Sequence, residues 1–299
     1  MERILECIPN FSEGRDPEVV EAITDCFRGK KGVKLLDYTS DPDHNRMVVT
    51  AAGEPEALKN AVVEAAGAAV KRIDLRTQKG RHPRMGAVDV IPFVPIKGMD
   101  LSKADEIARK AGALIGERYG VPVFLYEKSA TRKNRENLAD IRRGQFEGLF
   151  EKMKDKALWT PDFGPHRPHE SAGATAVGAR LPLIAYNIFL NTDDVEIAKK
   201  IAGKIRERDG GLPGVKALGL FLESKGLAQV SMNLVDYHKT GIYEAFAAVK
   251  QEAEALGAGV LESELIGLVP LEALTDCVKE SLCFSRFGLP QVLENEIWE

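Results

Sequence analysis

Apolar and polar positions along the chain fall into two successive cycles of strand-like and helix-like spacing. "ILECI", Ile4 to Ile8, is a short apolar run, followed by "DPEVVEAITDCF", in which Val19, Val20, Ile23 and Phe27 share one helical face. Asp16 ahead of Pro17 marks the start of that helix: a carboxylate satisfies free N–H groups, and proline's fixed φ suits the first turn. "VKLLDY" and "RMVVTAA" predict two strands across the turn-rich "TSDPDHN". From Glu54 to Ile73, Leu58, Val62, Ala65, Ala66 and Ala69 predict an alanine-rich helix, and "AVDVIPFVP" follows as a strand. A helix near Ser102 to Tyr119 and the strand "VPVFLYE" extend this cycle.

The second half repeats the order. "LPLIAYNIFL" predicts a strand and "DDVEIAKKIAGKIRER" a helix. "KALGLFLES" and "LAQVSMNLVDY" predict a hairpin turning at Lys225 and Gly226; "IYEAFAAVKQEAEAL" is a helix and "ESELIGLVP" a closing strand. Two βαββαβ cycles predict an α+β protein with two split-βαβ units, each a sheet covered by helices. The connection from about Arg132 to Gly178 is charged, rich in Pro and Gly, and long for a passive linker. It suggests domains at 1–179 and 180–299, with the joint as the expected ligand cleft.

Composition narrows the partners. A chain of 299 residues that is 44% hydrophobic and 29% charged is an ordinary globular sequence. The net charge of −4 is spread along the chain, with no basic cluster that would predict a nucleic-acid partner. Any anionic ligand must then be met by local arginines. Cys7, Cys26, Cys277 and Cys283 have no CxxC or metal-type spacing and suggest reduced thiols. No basic region precedes an apolar stretch at the N-terminus. The longest apolar run, Leu181 to Leu190, is short for a bilayer and contains Asn187, so the expectation is a cytoplasmic protein with no membrane partner.

Candidate chemistry centres on "KGRHPRMGAVDVIPF". A lone histidine is usually structural, but His82 has Arg81 and Arg84 beside it, Pro83 and Gly86 to sharpen the turn, and Asp89 just beyond. A partly desolvated histidine at the mouth of a strand suits general acid–base work near neutral pH, and nearby arginine charge keeps the ring unprotonated. "DPDHNRM" reads first as turn chemistry, with Arg46 as a carboxylate clamp the functional alternative. His166, His169 and Glu170 lack helical spacing and a third ligand, so no metal is expected. "GATAVGAR" has phosphate-loop glycines but lacks the Lys-Ser/Thr ending. The whole segment from Trp159 to Arg180, with aromatic ends, several glycines and Arg180, suggests instead a loop closing over a flat ligand.

These stretches together resemble the glutamate formiminotransferase domain family. The resemblance is carried by "ECIPNFSEGR", "LLD" with Asn45 and Arg46, "HPRMGAVDVIPFVP", "VPVFLYE", "IRRGQFEGL", "PDFGP", "GATAVGAR", "AQVSMNLVDY" and "IGLVPLEAL". It implies two ferredoxin-like subdomains with a folate passage between them, and transfer of the formimino group of N-formimino-L-glutamate to N5 of tetrahydrofolate. It implies His82 as the catalytic residue, and a folate loop at Gly164, Pro165, His166, Arg167, Pro168, His169, Glu170, Ser171, Ala172 and Gly173. Arg46, Arg84 and Arg180 then have substrate carboxylates to bind, Asp37 or Asp89 is expected near the basic formimino group, and Asn45 joins the substrate set. Tetrahydrofolate, also in polyglutamylated form, is the implied co-substrate. A homodimer and a separate downstream cyclodeaminase are the implied partners. Against the family pattern, Thr39 replaces an acidic residue and Asp43 and His44 replace a small Ser/Thr pair. Those positions leave a folate-dependent N-formyl or N-acyl transferase, or a non-catalytic folate-binding protein, as the alternatives.

Overall fold

A computed structural model describes residues 2–80 and 82–298. Arg81, named above as a neighbour of His82, lies outside the described residues. The chain divides into two compact units, Met1–Arg180 and Leu181–Glu299.

The N-terminal unit contains, in order, β1 (Ile4–Cys7), β2 (Asn10–Phe11), α1 (Pro17–Thr24), β3 (Val33–Asp41), β4 (Arg46–Gly53), α2 (Pro55–Arg72) and β5 (Val88–Lys97). It continues with α3 (Leu101–Tyr119), β6 (Val123–Glu127), α4 (Leu138–Arg142), α5 (Gln145–Lys152), α6 (Lys156–Trp159) and β7 (Thr175–Ala179). Local chemistry sets the helix starts: the Asp16 carboxylate accepts from Glu18 N and Val19 N, and Asp100 from Lys103 N. On β4 the period of two is clean, with Met47, Val49 and Ala51 buried and their alternates half-buried. The buried faces of α1, α2 and α3 pack with Phe11, Phe27, Phe93 and Phe124 into one core. Each such side chain contributes about 1.5–3 kcal/mol on burial.

One seven-stranded sheet runs through this unit. β1 and β2 both lie between β4 and β5, antiparallel to each, and β3 pairs with the far edge of β4. β7 is inserted between β5 and β6, parallel to both.

The C-terminal unit contains β8 (Ile184–Leu190), α7 (Val195–Ile205), β9 (Val215–Leu222), β10 (Leu227–Leu234), α8 (Ile242–Ala255) and β11 (Val260–Ile266), followed by α9 (Leu271–Ser281) and α10 (Leu293–Trp298). Its four strands are antiparallel in the order β11-β8-β10-β9, and Gly226, at φ 66°, turns the hairpin. Its core, including Ile188, Leu190, Ile201, Val230 and Val249, is built from its own strands and helices.

The α+β class and the βαββαβ order of both units match the pattern of the chain. Three local expectations do not. "GATAVGAR" is not a free loop: Thr175 to Ala179 is a wholly buried strand. Its glycines serve close packing, since a Cβ on Gly178 would stand 2.3 Å from the Tyr126 carbonyl oxygen. The 132–178 connection is not irregular throughout but carries α4, α5 and α6. "TSD", assigned to a turn, continues β3 to Asp41, because Thr39, Ser40 and Asp41 find ladder partners in Val48, Met47 and Arg46.

Candidate active site

Three turns meet at the end of the sheet where β5 begins. Asn45, at φ 49°, ties them together. Its Oδ1 accepts from Gly14 N at 2.9 Å, its Nδ2 donates to the Lys79 carbonyl at 3.0 Å, and its own carbonyl accepts from Gln78 Nε2 at 2.9 Å. A Cβ on Gly80 would fall 2.1 Å from the His44 carbonyl oxygen, so the chain passes here only as glycine. Ser12 closes the other side, with its Oγ donating to the Gly86 carbonyl at 2.7 Å and its backbone N to Ala87 O at 3.0 Å.

The His82 turn is braced from the far side by the end of the expected folate loop. Ala87 N donates to Ala172 O and Ala174 N to Met85 O. Gly86 and Gly173 pair across this contact, and a Cβ on either would lie about 2 Å from a backbone oxygen, 1.9 Å and 2.1 Å respectively. The rest of that loop is held by its own turns and by neighbouring elements. Gly164 (φ 81°) packs against Gly116 and Val121, His166 Nε2 lies 2.8 Å from the Met153 carbonyl, and His169 Nδ1 accepts from Ser171 N and Ala172 N. Pro168 is buried, while Arg167 and Glu170 are exposed.

Asp89 is the hub. It is 2% exposed; its Oδ1 accepts from Met85 N at 2.8 Å and its Oδ2 pairs with Arg142. His82 Nε2 stands 3.9 Å from the same Oδ2, an electrostatic contact too long for a hydrogen bond. Arg46 bonds Asn10 Oδ1 and acts on His82 by charge. Burial is the largest influence on His82 and lowers its pKa. Asp89 opposes this, Arg46 and Arg142 reinforce it, and the net value lies below the ordinary 6.5. For Asp89 burial pushes the carboxyl up, but Arg142, His82 and the Met85 N–H more than offset it, so it stays ionised. Burial, with Arg142 beside it, brings Arg46 down to about 10.

Three nitrogens of this cluster, His82 Nε2, Arg46 Nε and Arg142 Nε, are buried with no hydrogen-bond partner among the described residues. Each unsatisfied group costs about 1–3 kcal/mol, and such orphans call for an explanation beyond packing. The arrangement offers an unprotonated imidazole next to a buried carboxylate, with two arginines beside them. That is the equipment for moving a proton while holding an anionic ligand.

The structure gathers His82, Asp89, Arg46 and Asn45 in this region. Arg84 is buried close by but committed elsewhere: Nε to Gln78 Oε1 at 2.8 Å, and both terminal nitrogens to Glu147 at 3.0 Å. Its guanidinium therefore clamps the turn to α5. Arg180 follows the other end of β7; its backbone N bonds Phe93 O, and its charge acts on Glu6 and Tyr126. Phe93 is four residues along β5 from Asp89, roughly 13 Å at strand rise, and the Arg180 charge shares Tyr126 with that of Arg142. Asp37 lies on β3 opposite Thr50, Thr39 is exposed opposite Val48, and His44 Nδ1 pairs with Asp41 at 2.7 Å on the surface of the turn. Among the described residues no three His, Cys, Asp or Glu side chains form a metal-ligand group, and no helix is long and apolar enough to cross a membrane.

The formiminotransferase domain, N-terminal subdomain, matches residues 4–180, and the formiminotransferase domain matches residues 185–282. The chain belongs to the formiminotransferase family. It is 45% identical over 298 residues to "Glutamate formimidoyltransferase" of Streptococcus pyogenes serotype M1, covering 99% of both chains. It is likewise 45% identical over 296 residues to the protein of the same name from Thermoplasma acidophilum, covering 98% of this chain and 97% of that one. A "Formimidoyltransferase-cyclodeaminase" of Rattus norvegicus is 42% identical over 293 residues, which is 94% of this chain but 54% of the longer protein.

Residue patterns alone missed Arg142, Asn10 and Gln78. Arg142 and Glu147 lie within "IRRGQFEGL", a stretch that carried the family resemblance without an assigned role. Its polar density was the available signal. The partner of Arg142 is 53 residues away, so only the fold identifies it.

Proposed function

We propose that this protein is a glutamate formimidoyltransferase, moving the formimino group of N-formimino-L-glutamate to N5 of tetrahydrofolate and releasing L-glutamate. The observation that carries this reading is 45% identity along essentially the whole of a glutamate formimidoyltransferase. The geometry around His82 supplies a chemistry that fits it. Tetrahydrofolate contributes the attacking nitrogen. The His82 ring, unprotonated at neutral pH, takes the proton that this nitrogen loses, and the resulting imidazolium returns it to the departing glutamate nitrogen. The C–N bond to N5 forms and the C–N bond to glutamate breaks, with no net proton lost by the enzyme. Asp89 offsets the transient positive charge on His82. Arg46 and Arg142 favour the neutral ring between turnovers and present N–H groups to substrate carboxylates. The loop 164–173 is our candidate for folate contact, because its end is bonded to the His82 turn. We extend the reading to a cytoplasmic homodimer in histidine breakdown and one-carbon metabolism, with a cyclodeaminase acting next.

A spectrophotometric assay with N-formimino-L-glutamate and tetrahydrofolate tests the reading, with N-formylglutamate as the competing donor. His82→Ala should lower kcat by about 10²–10⁴-fold. The acid limb of the wild-type profile should lie below pH 6.5, because the base is active only when neutral and its pKa is depressed. Wild-type turnover by His82→Ala would remove His82 from this role.

A further inference from the structure

Lys152, at the end of α5, places its Nζ 3.1 Å from the carbonyl oxygen of Asp140, 2.7 Å from that of Ile141 and 2.8 Å from that of Arg143. These carbonyls surround the last turn of α4, which ends at Arg142. A five-residue helix leaves its terminal carbonyls without intrahelical donors, and here one ammonium supplies all three. The Trp159 ring of α6 lies over the same ammonium, 4.0 Å to its centroid, and is itself held edge-on by Phe124 of β6. The turn that follows is tight, with Gly144 at φ 89° and Gln145 at φ 55°, and Phe146 N is bonded to Arg84 O. Arg142 is thereby fixed where it pairs with Asp89, whose Oδ2 faces His82.

We propose that Lys152 is a positioning residue for the transfer reaction: its ammonium caps the C-terminus of α4 and so sets how far Arg142 draws Asp89 away from His82. This rests on the reading of the activity given above. A neutral amine has two N–H groups and turns its lone pair toward the third carbonyl, so loss of the proton loosens the cap. Around Lys152, burial favours the neutral form most, the Arg143 cation adds to it and the Asp140 carboxylate opposes it; Trp159, from the α6 side, does not titrate. Together they bring Lys152 from 10.5 down to about 8. Between these values the unfolded chain holds the proton and the folded chain does not, so this group makes stability rise with pH there. An alkaline loss of activity through Lys152 is therefore not unfolding.

The test compares the full-length wild type with Lys152→Arg and Lys152→Met. In wild type, kcat should fall several-fold through about pH 8 while the melting temperature does not drop with it. Lys152→Arg keeps the charge and should abolish that limb with near-normal kcat at neutral pH. Lys152→Met should have a kcat at least tenfold lower at every pH, with KM changed less. His82 is titrated independently by NMR of its ring. In Lys152→Met its pKa should move up, because a released Asp89 acts on it more strongly. An unchanged His82 titration in Lys152→Met, or a wild-type alkaline limb in Lys152→Arg, overturns the proposal. The NMR arm needs no turnover, so failure of the assigned reaction and failure of this inference are read separately. If Lys152→Met does not fold, the Lys152→Arg profile alone decides.

Discussion

Replacing Asp89 by asparagine keeps the shape of the hub and removes its charge. Asn Oδ1 still accepts from Met85 N, but Arg142 loses its ion-pair partner inside a site only 2% exposed at Asp89. Breaking a buried pair from one side costs about 3–5 kcal/mol; with the backbone bond retained the lower end applies, about 3 kcal/mol. For a unit of this size that lowers the melting temperature by roughly 6–12 °C. Catalysis suffers separately. At the 3.9 Å between Asp89 Oδ2 and His82 Nε2, and an effective dielectric of about 20, the carboxylate stabilises a transient imidazolium by at most about 4 kcal/mol. That bounds the rate loss near 10³, and a fall of 10²–10³ in kcat is expected. The sign in pH is also fixed. Asp89 is the group that raises the His82 pKa, so Asp89→Asn should move the acid limb of the rate profile to lower pH. Calorimetry and a pH–rate series in the spectrophotometric assay measure all three effects. A variant within threefold of wild-type kcat, or an acid limb displaced upward, refutes the charge-stabilising role.

Gly173→Ala should cost about 2–4 kcal/mol in urea unfolding, combining left-handed strain at φ 67° with a Cβ 2.1 Å from Met85 O, whereas Gly210→Ala, at φ 92° with nothing within 4 Å, should cost only the strain. Equal losses at the two glycines would contradict the packing argument. Asp162 pairs at 2.7 Å with the wholly buried Arg135 and accepts from Leu125 N at 2.8 Å, so Asp162→Ala should lose about 3–5 kcal/mol. Adding Arg135→Met should recover part of that loss in the double mutant, because no buried charge is then left alone. A double mutant no more stable than Asp162→Ala would count against the pair.

The sequence by itself determined what depends on near neighbours. Period-two and period-3.6 spacing marked the strands and helices of both βαββαβ cycles, Asp16 marked a helix start, and Gly226 marked a hairpin turn. His82 and Asp89 were legible because they sit seven residues apart around one turn. The tertiary structure decided what depends on distant partners. "GATAVGAR" is a strand only because β5 and β6 lie on either side of it, and isolated glycine and alanine carry no strand signal. Arg84 looked like a ligand clamp until Glu147, 63 residues away, took its guanidinium. Arg142 had no visible role until a short helix, capped from α5, carried it to Asp89. A charged side chain is assigned by its partner, and pairing across more than fifty residues is a property of the packed chain, not of any window along it.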